Sequence, residues 1–341
     1  MDNRYIISPS PHLNDTDSTP RIMYAVIGSL IPAGAGAVYF FGWQALWVMI
    51  SAVTAAVMTE LLCQKMMKRP VTIKDGSAIL TGLLLSYNLP AEVPLWIAVI
   101  GSVVAITIGK QVFGGLGYNP MNPALIGRAF LTVSWPVYMT VFKSVPRNGT
   151  LSGIDIITGA TPLSVLKSTR EILLFSNSHP PEQVTEATQA LFQLYSSHSQ
   201  LFFGRIGGCL GETSAFLLLL GAVFLMYKRI IGWKIPFAYI GTVALLTWAL
   251  GGTDGLFTGD PLFHILSGGL ILGAFYMATD MVTTPVTYKG RLLFGIGCGI
   301  ITVVIRLWGG YPEGVSFSIL LMNLTTPLID RYTRPQVFGG K

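Results

Sequence analysis

IMYAVIGSLIPAGAGAVYFFGWQALWVMISAVTAAVMTELLC, the stretch from Ile22 to Cys63, decides the fold class. It carries one charged side chain, Glu60, in two apolar runs that meet at Gly42. A hydrocarbon layer of ~30 Å needs about 20 such residues in a helix. The pattern recurs down the chain. Hydrophobic segments cover 22–41, 43–63, 77–89, 94–108 and 123–142, then 212–227, 235–250, 261–278, 292–307 and 316–329. At 1.5 Å per residue, segment 77–89 reaches only about 20 Å. It is therefore expected to be extended, tilted, or covered by neighbours as a partial span. The expected fold is all-α and integral to the membrane, with about ten transmembrane helices.

Composition agrees. The chain has 341 residues, 51% hydrophobic and 11% charged, with a mean hydropathy of +0.59. Soluble domains carry about 25% charged residues. A net charge of +6 would suggest nucleic acid in a soluble protein. Here the basic residues sit between apolar segments, and topology explains them better. Cys63, Cys209 and Cys298 are far apart, and the four histidines form no H-x-x-x-H or H-E-x-x-H pattern. This speaks against zinc or iron–sulfur ligation by this chain alone. The polar first ~20 residues lack the apolar core of a cleavable signal peptide, so insertion is expected to start with the first span.

Lys and Arg set the orientation. With the N-terminus inside, the cytoplasmic connections hold Lys65, Lys68, Arg69, Lys74, Lys110, Lys228, Arg229, Lys234, Lys289 and Arg291. The tails add Arg4, Arg21, Arg331, Arg334 and Lys341. The short external connections near 90–93, 251–260 and 308–315 contain neither Lys nor Arg. Both termini are thus expected in the cytoplasm. The expected organisation is a cytoplasmic tail (1–21), a first membrane repeat of five helices (22–142), a long external loop (143–211), a second repeat (212–329) and a cytoplasmic tail (330–341).

A faint internal repeat supports two halves. Ile79-Leu80-Thr81-Gly82 resembles Ile265-Leu266-Ser267-Gly268, each in the third segment of its half. Gly117-Tyr118-Asn119-Pro120 resembles Gly310-Tyr311-Pro312, each before the last segment. An odd number of spans per half makes such repeats inverted.

The long polar loop is where chemistry is sought. It contains Asp155-Ile156-Ile157-Thr158-Gly159-Ala160-Thr161-Pro162. Gly159 and Ala160 leave the Thr161 hydroxyl uncrowded, and Pro162 stiffens the turn after it. The residues alone allow an ordinary turn or a hydroxyl open to modification from outside. Before the fifth segment, Asn119-Pro120-Met121-Asn122-Pro123 breaks helical structure. Its exposed amides suit an anion or a cofactor, or the two Asn-Pro turns simply join helices. Arg128 lies inside a span, where an arginine is paired and functional or snorkels to the surface. Both readings stand. Glu60 and Arg306 read as interfacial, Glu212 and Asp280 as boundary residues, and His264 as a satisfied helix residue. Met66, Met67, Trp43, Trp47 and Trp96 read as lipid-interface packing.

Four stretches carry a family resemblance. Asp155, Thr158, Ala160 and Thr161 occupy the defined positions of D-x-x-[ST]-x-A-T. That pattern resembles the recognition motif of the flavin transferase that links FMN to a threonine through a phosphoester. Gly114-Gly115-Leu116-Gly117-Tyr118-Asn119-Pro120-Met121-Asn122-Pro123-Ala124 is similar to a second family signature. Gly309–Val315 and Ile329–Pro335 are similar to further stretches of it. Together they resemble the D subunit of the Rnf (Rsx) electron-transport complex (the RnfD family), related to the B subunit of the sodium-translocating NADH:quinone reductase. The short N-terminal tail favours the former.

The resemblance implies a subunit that relays electrons in ion-translocating ferredoxin:NAD⁺ oxidoreduction, coupled to Na⁺ or H⁺. It implies FMN on Thr161, with Asp155, Thr158, Gly159 and Ala160 as the transferase's recognition pattern, and riboflavin as a further cofactor. Asn119, Asn122 and Arg128 are the other candidate cofactor contacts. The flavin would do the redox work, and no side chain is assigned catalysis of its own. Implied partners are the A, B, C, E and G subunits, the transferase, and the lipid of a bacterial inner membrane. The competing reading is a solute channel or transporter, since five-plus-five inverted repeats also build channels.

Overall fold

Helix α1 (Thr19–Phe41) and helix α2 (Trp43–Met66) meet at Gly42, whose φ of 79° only glycine adopts without strain. The protein is described by a computed structural model over residues 17–140, 142–143, 158–175, 178–204, 207–212, 214–253 and 255–334. With α14 (Tyr288–Trp308), these are the three helices there that are long and apolar enough to cross a membrane. Shorter apolar helices accompany them. In the first part of the chain they are α3 (Ser77–Tyr87), α4 (Leu95–Ile106), α5 (Pro123–Ser134) and the short α6 (Pro136–Thr140). In the second they are α10 (Ala215–Tyr227), α11 (Lys234–Leu250), α12 (Pro261–Leu266), α13 (Leu270–Leu272) and α15 (Val315–Tyr332).

Several segments differ from their expected bounds, each for a local reason. Segment 94–108 continues through a π-helical turn to Gln111. Segment 123–142 is cut at Pro136, because a proline disfavours helix in the residue before it. Segment 212–227 starts only at Ala215, where Ser214 caps the helix by accepting from the Leu217 amide at 3.4 Å. Segment 261–278 is not one helix. It breaks at Ser267-Gly268-Gly269, then resumes as α13 and a π-helical stretch, Gly273–Met277. Gly268 takes φ 68°, and a Cβ there would sit 2.7 Å from Leu163 Cδ1, so glycine is required.

Between lipid-facing helices the hydrophobic effect gives little drive, and close packing with internal hydrogen bonds replaces it. Gly299 of α14 illustrates this. A Cβ there would fall 2.6 Å from Thr242 Cβ of α11, so the helices touch along a small-residue stripe. Tyr239 of α11 bonds Thr302 Oγ1 at 2.6 Å and Ser318 Oγ at 2.8 Å, tying α15 to the same pair. α1 packs on α10. On one side of that contact, Tyr87 donates to Leu30 O at 2.7 Å. On the other, Tyr276 donates to Leu218 O at 2.9 Å.

The stretch 143–211 was expected as a loop. Where it is described, it folds. Phe142–Lys143 (β1) and Thr158–Gly159 (β2) form a two-residue antiparallel ladder. Three helices come next: α7 (Pro162–Leu174), α8 (Pro181–Ser196) and α9 (His198–Phe203). Leu163, Leu166, Leu201 and Phe263 form a small core that seats this layer on α12. His198 Nε2 and Asp260 Oδ2, 2.7 Å apart, tie α9 to the start of α12. The return segment then runs along the end of α3. Leu210 N donates to Leu89 O at 3.0 Å and Gly211 N to Tyr87 O at 2.8 Å. The short connection near 90–93 is thereby covered.

Candidate functional site

Thr161 is the N-cap of α7. Its Oγ1 accepts from the Ser164 amide at 3.2 Å and lies 3.0 Å from Ser164 Oγ. Thr-Pro at N-cap and first helical position is a natural start for a helix. The side chain is buried, with the residue only 5% exposed. Thr161 borders a cavity of about 360 Å³ whose other walls include Gly208, Gly268, Glu212 and Glu313. Of the other motif residues, Thr158 and Gly159 lie in β2 and Ala160 is exposed. Asp155 lies outside the described residues.

The two carboxylates in that wall lead to Arg128. Arg128 sits two turns into α5 and does not snorkel. It is 8% exposed, donates from Nη1 to Asn88 Oδ1 at 2.7 Å, and from Nη2 to Glu313. Glu212 Oε1 lies 3.9 Å from its Nη1. Among the described residues, that oxygen accepts no hydrogen bond. Sulfur and carboxylate ligand atoms of Cys209, Glu212 and Glu313 lie within 4.8 Å of one another. A metal ion could use such donors, but the Arg128 guanidinium already supplies a cation there. The structure thus brings Thr161 and Arg128 to one polar centre through two glutamates. Glu212 is not the boundary residue expected from the sequence, since its side chain is 5% exposed within this centre.

Arg306 completes the centre and is not interfacial as expected. It is 4% exposed and donates to three carbonyls. Nη1 reaches His264 O at 2.6 Å, Nη2 reaches Ser267 O at 3.2 Å, and Nε reaches Glu313 O at 3.0 Å. Breaking the span at 267–269 leaves carbonyls at the end of α12 without helical partners, and a cation is what such an end favours. His264 is not satisfied either. It is 1% exposed, and neither ring nitrogen has a partner among the described residues.

Asn119 and Asn122 belong to a different place. Both line a cavity of about 830 Å³ between the first and second parts of the chain, with Ser77, Lys110 and Asp280. Asn122 caps α5 by accepting from the Ala124 amide at 3.0 Å, and its amide reaches Met277 O at 3.4 Å. Asn119 donates to Met121 O at 3.1 Å, while its Oδ1 is buried without a partner. Burial raises the Asp280 carboxyl above the usual carboxylate range, offset by the Val282 amide and the Thr283 hydroxyl.

Next to this cavity, Lys110 is 1% exposed rather than on a cytoplasmic loop surface. Its Nζ lies 2.8 Å from each Glu60 oxygen and 2.6 Å from Ser77 Oγ. Glu60 is therefore buried and paired, not interfacial. Gln64 and Gln111 each donate to its Oε1 at 3.1 Å. A third cleft, of about 1140 Å³, separates α7 from the end of α14.

Comparison with known proteins places these features in a lineage. The model of the NQR2, RnfD, RnfE family matches residues 6–339. The chain is 49% identical to the D subunit of the proton-translocating ferredoxin:NAD(+) oxidoreductase complex of Clostridium ljungdahlii, over 99% of this chain and 97% of that one. It is 45% identical to the D subunit of the Na(+)-translocating ferredoxin:NAD(+) oxidoreductase complex of Acetobacterium woodii, over 98% and 95%. It is 38% identical to the D subunit of the ion-translocating oxidoreductase complex of Citrobacter koseri, over 98% and 99%. With a family model and near-full-length relatives in agreement, this multi-pass membrane protein belongs to the NQR2, RnfD, RnfE family.

Proposed function

We propose that this chain is the membrane-embedded D subunit of an Rnf-type complex, relaying electrons through FMN on Thr161 while ferredoxin:NAD⁺ oxidoreduction drives Na⁺ or H⁺ across the membrane. The observation that carries this is the position of Thr161. A motif threonine caps a helix beside the polar centre that joins Arg128, Glu212 and Glu313.

The residues present fit a phosphoester. A helix N-terminus offers unpaired backbone amides and a positive dipole end to an anion. The Ser164 amide already points at Thr161 Oγ1, while the Ser164 hydroxyl accepts from it and donates to Thr161 O. FMN bound there supplies one- and two-electron redox chemistry. The chain's own residues hold the phosphate, exclude water and fix the local charge. Riboflavin is the second proposed cofactor. The cavity of Asn119 and Asn122 is its proposed seat, being mostly apolar with an unpaired Asn119 oxygen.

Ten spans in two inverted halves remain our reading of the topology. The paired contacts Tyr87 to Leu30 and Tyr276 to Leu218 support it, because each ties the third segment of a half to the first. In this reading both termini face the cytoplasm across a bacterial inner membrane, with α7–α9 on the far face. The A, B, C, E and G subunits are the proposed partners, and the flavin transferase acts in maturation.

The test is denaturing electrophoresis of membranes that also contain the transferase. The wild-type band fluoresces under ultraviolet light, and Thr161→Ala is dark because alanine has no hydroxyl to attack FAD. Mass spectrometry of the Thr161 peptide gives the added mass. Asp155→Ala reduces labelling without abolishing it. A Thr161→Ala band that still fluoresces overturns the assignment, and a dark wild type favours the channel reading.

A further inference from the structure

We propose that the cleft between the α10–α11 turn and the connection leading into α14 binds the phosphate of an anionic phospholipid, held by Arg229, Lys234 and Arg291. The site is independent of the flavin reading above.

Charge points to it. Arg229, Lys234 and Arg291 line one cleft of about 1310 Å³, open mouth included, and among the described residues no Asp or Glu lines it. Among those residues none of the three cations is in an ion pair. Two chain segments thus bring like charges to one gap, which is unfavourable until an anion sits between them. The carboxylates on the same segments are committed elsewhere. Asp280 accepts from the Val282 amide and the Thr283 hydroxyl, each at 3.3 Å, and Asp330 from the Val286 amide at 3.0 Å.

Each cation is held in place with donors left over. Arg229 closes α10 at φ 57°, a backbone conformation usual for glycine, with its amide on Met226 O at 3.0 Å. The Lys234 ammonium lies 3.4 Å from the centre of the Tyr288 ring, which positions it without a carboxylate. Arg291 donates from Nε to Pro285 O at 3.1 Å, leaving both Nη groups for a ligand. A phosphodiester presents two free oxygens to such a fork.

The depth in the membrane is that of headgroups. Trp233, Phe237, Leu245 and Trp248 are exposed along one face of α11. A tryptophan at each end of such a face marks the two membrane–water interfaces. The cleft opens beside Trp233. The Trp233 and Phe237 rings stand 6.3 Å apart, so an acyl chain leaving the cleft meets them in turn. A ligand with a phosphate and an apolar chain uses both features, and basic pockets between membrane helices take such headgroups. Basic residues at one face also serve topology. Lys228 and Lys289 are of that kind, being exposed on the same two segments and outside the lining of the cleft.

The test titrates the full chain in detergent with phosphatidylglycerol, and with phosphatidylcholine of the same acyl chains, read by native mass spectrometry. One phosphatidylglycerol is expected to bind in preference to phosphatidylcholine. Arg229→Gln with Arg291→Gln should weaken it about 25-fold, at about fivefold per charge removed. Lys228→Gln with Lys289→Gln should leave it unchanged. Melting in phosphatidylcholine alone checks that both double variants fold as the wild type does. Equal affinity for the two lipids overturns the proposal. So does an equal loss in both double variants, which leaves only diffuse surface charge. Inorganic phosphate that displaces phosphatidylglycerol at equal concentration makes a free anion the ligand and overturns the lipid. Loss of this phosphatidylglycerol on assembly of the full complex gives the cleft to an acidic segment of a partner subunit, and overturns it likewise.

Discussion

Among the described residues, two buried ionic clusters are built on opposite plans. Glu60 and Lys110 lie within neighbouring elements, α2 and the π-helical end of α4. Every partner is in place, with both carboxylate oxygens on the ammonium and Ser77, Gln64 and Gln111 around the pair. Arg128, Glu212, Glu313 and Arg306 come instead from α5, the segment returning after α9, the turn before α15, and α14. That cluster leaves Glu212 Oε1 unpaired and sits between the unpaired His264 and the cavity of Thr161. A fully satisfied buried network fixes geometry. One with open valences, placed where distant segments converge, has work left for a ligand or a proton. The difference teaches that burial of charge does not by itself mark a site, whereas incomplete satisfaction does.

The comparison can be broken most directly at Lys110. Lys110→Met strands a buried carboxylate and is expected to cost about 3–5 kcal/mol, seen as a lower melting temperature in detergent. Removing both charges, as Lys110→Met with Glu60→Leu, recovers most of the loss. A single variant that melts with the wild type would deny this cluster its structural role. Arg128→Leu comes next, at about 1.5–3 kcal/mol for its charged hydrogen bonds. The complex should still assemble, but electron transfer from ferredoxin to NAD⁺ should fall, with Arg128→Lys intermediate. Full electron transfer in Arg128→Leu would reduce the second cluster to scaffold as well. Asp260→Ala is the mildest. It removes the N-cap of α12 and the partner of His198, worth about 1 kcal/mol. Faster limited proteolysis within α7–α9, at unchanged melting of the membrane body, is the expected sign.

The burial and pairing of Arg128 were legible in the sequence as one of two readings of a lone cation among apolar residues, and the helix start at Thr161 in its Thr-Pro step. Glu60 and Arg306 were misread because their partners lie far off in sequence or are backbone carbonyls. Lys110 is 50 residues from Glu60, and no spacing rule links them. The Arg306 acceptors exist only because the span breaks at Ser267-Gly268-Gly269. That Ser-Gly-Gly step was a usable signal for the break, but not for what would cap it. The helix after Thr161 also had a signature, Thr-Pro and then Leu163 and Leu166 on one face. The polarity of the stretch hid it. The pairing of 210–211 with the end of α3 was invisible, because two backbone hydrogen bonds leave no trace in residue type.

The burial of Thr161 has a consequence for the order of events in making this protein. With α7–α9 closed over α12, a second enzyme cannot grip a hydroxyl that also holds its own helix start. If Thr161 is modified as proposed, the enzyme acting on it must arrive before α7–α9 close over α12, or wait for them to lift. Labelling then becomes a race between a bimolecular encounter and an intramolecular closure. A chain that closes too soon would be correctly folded and inserted yet permanently blank. The small core, the His198–Asp260 contact and the donations from Lys167 to Gly309 O and Arg170 to Leu250 O are what would have to form last for that race to stay open.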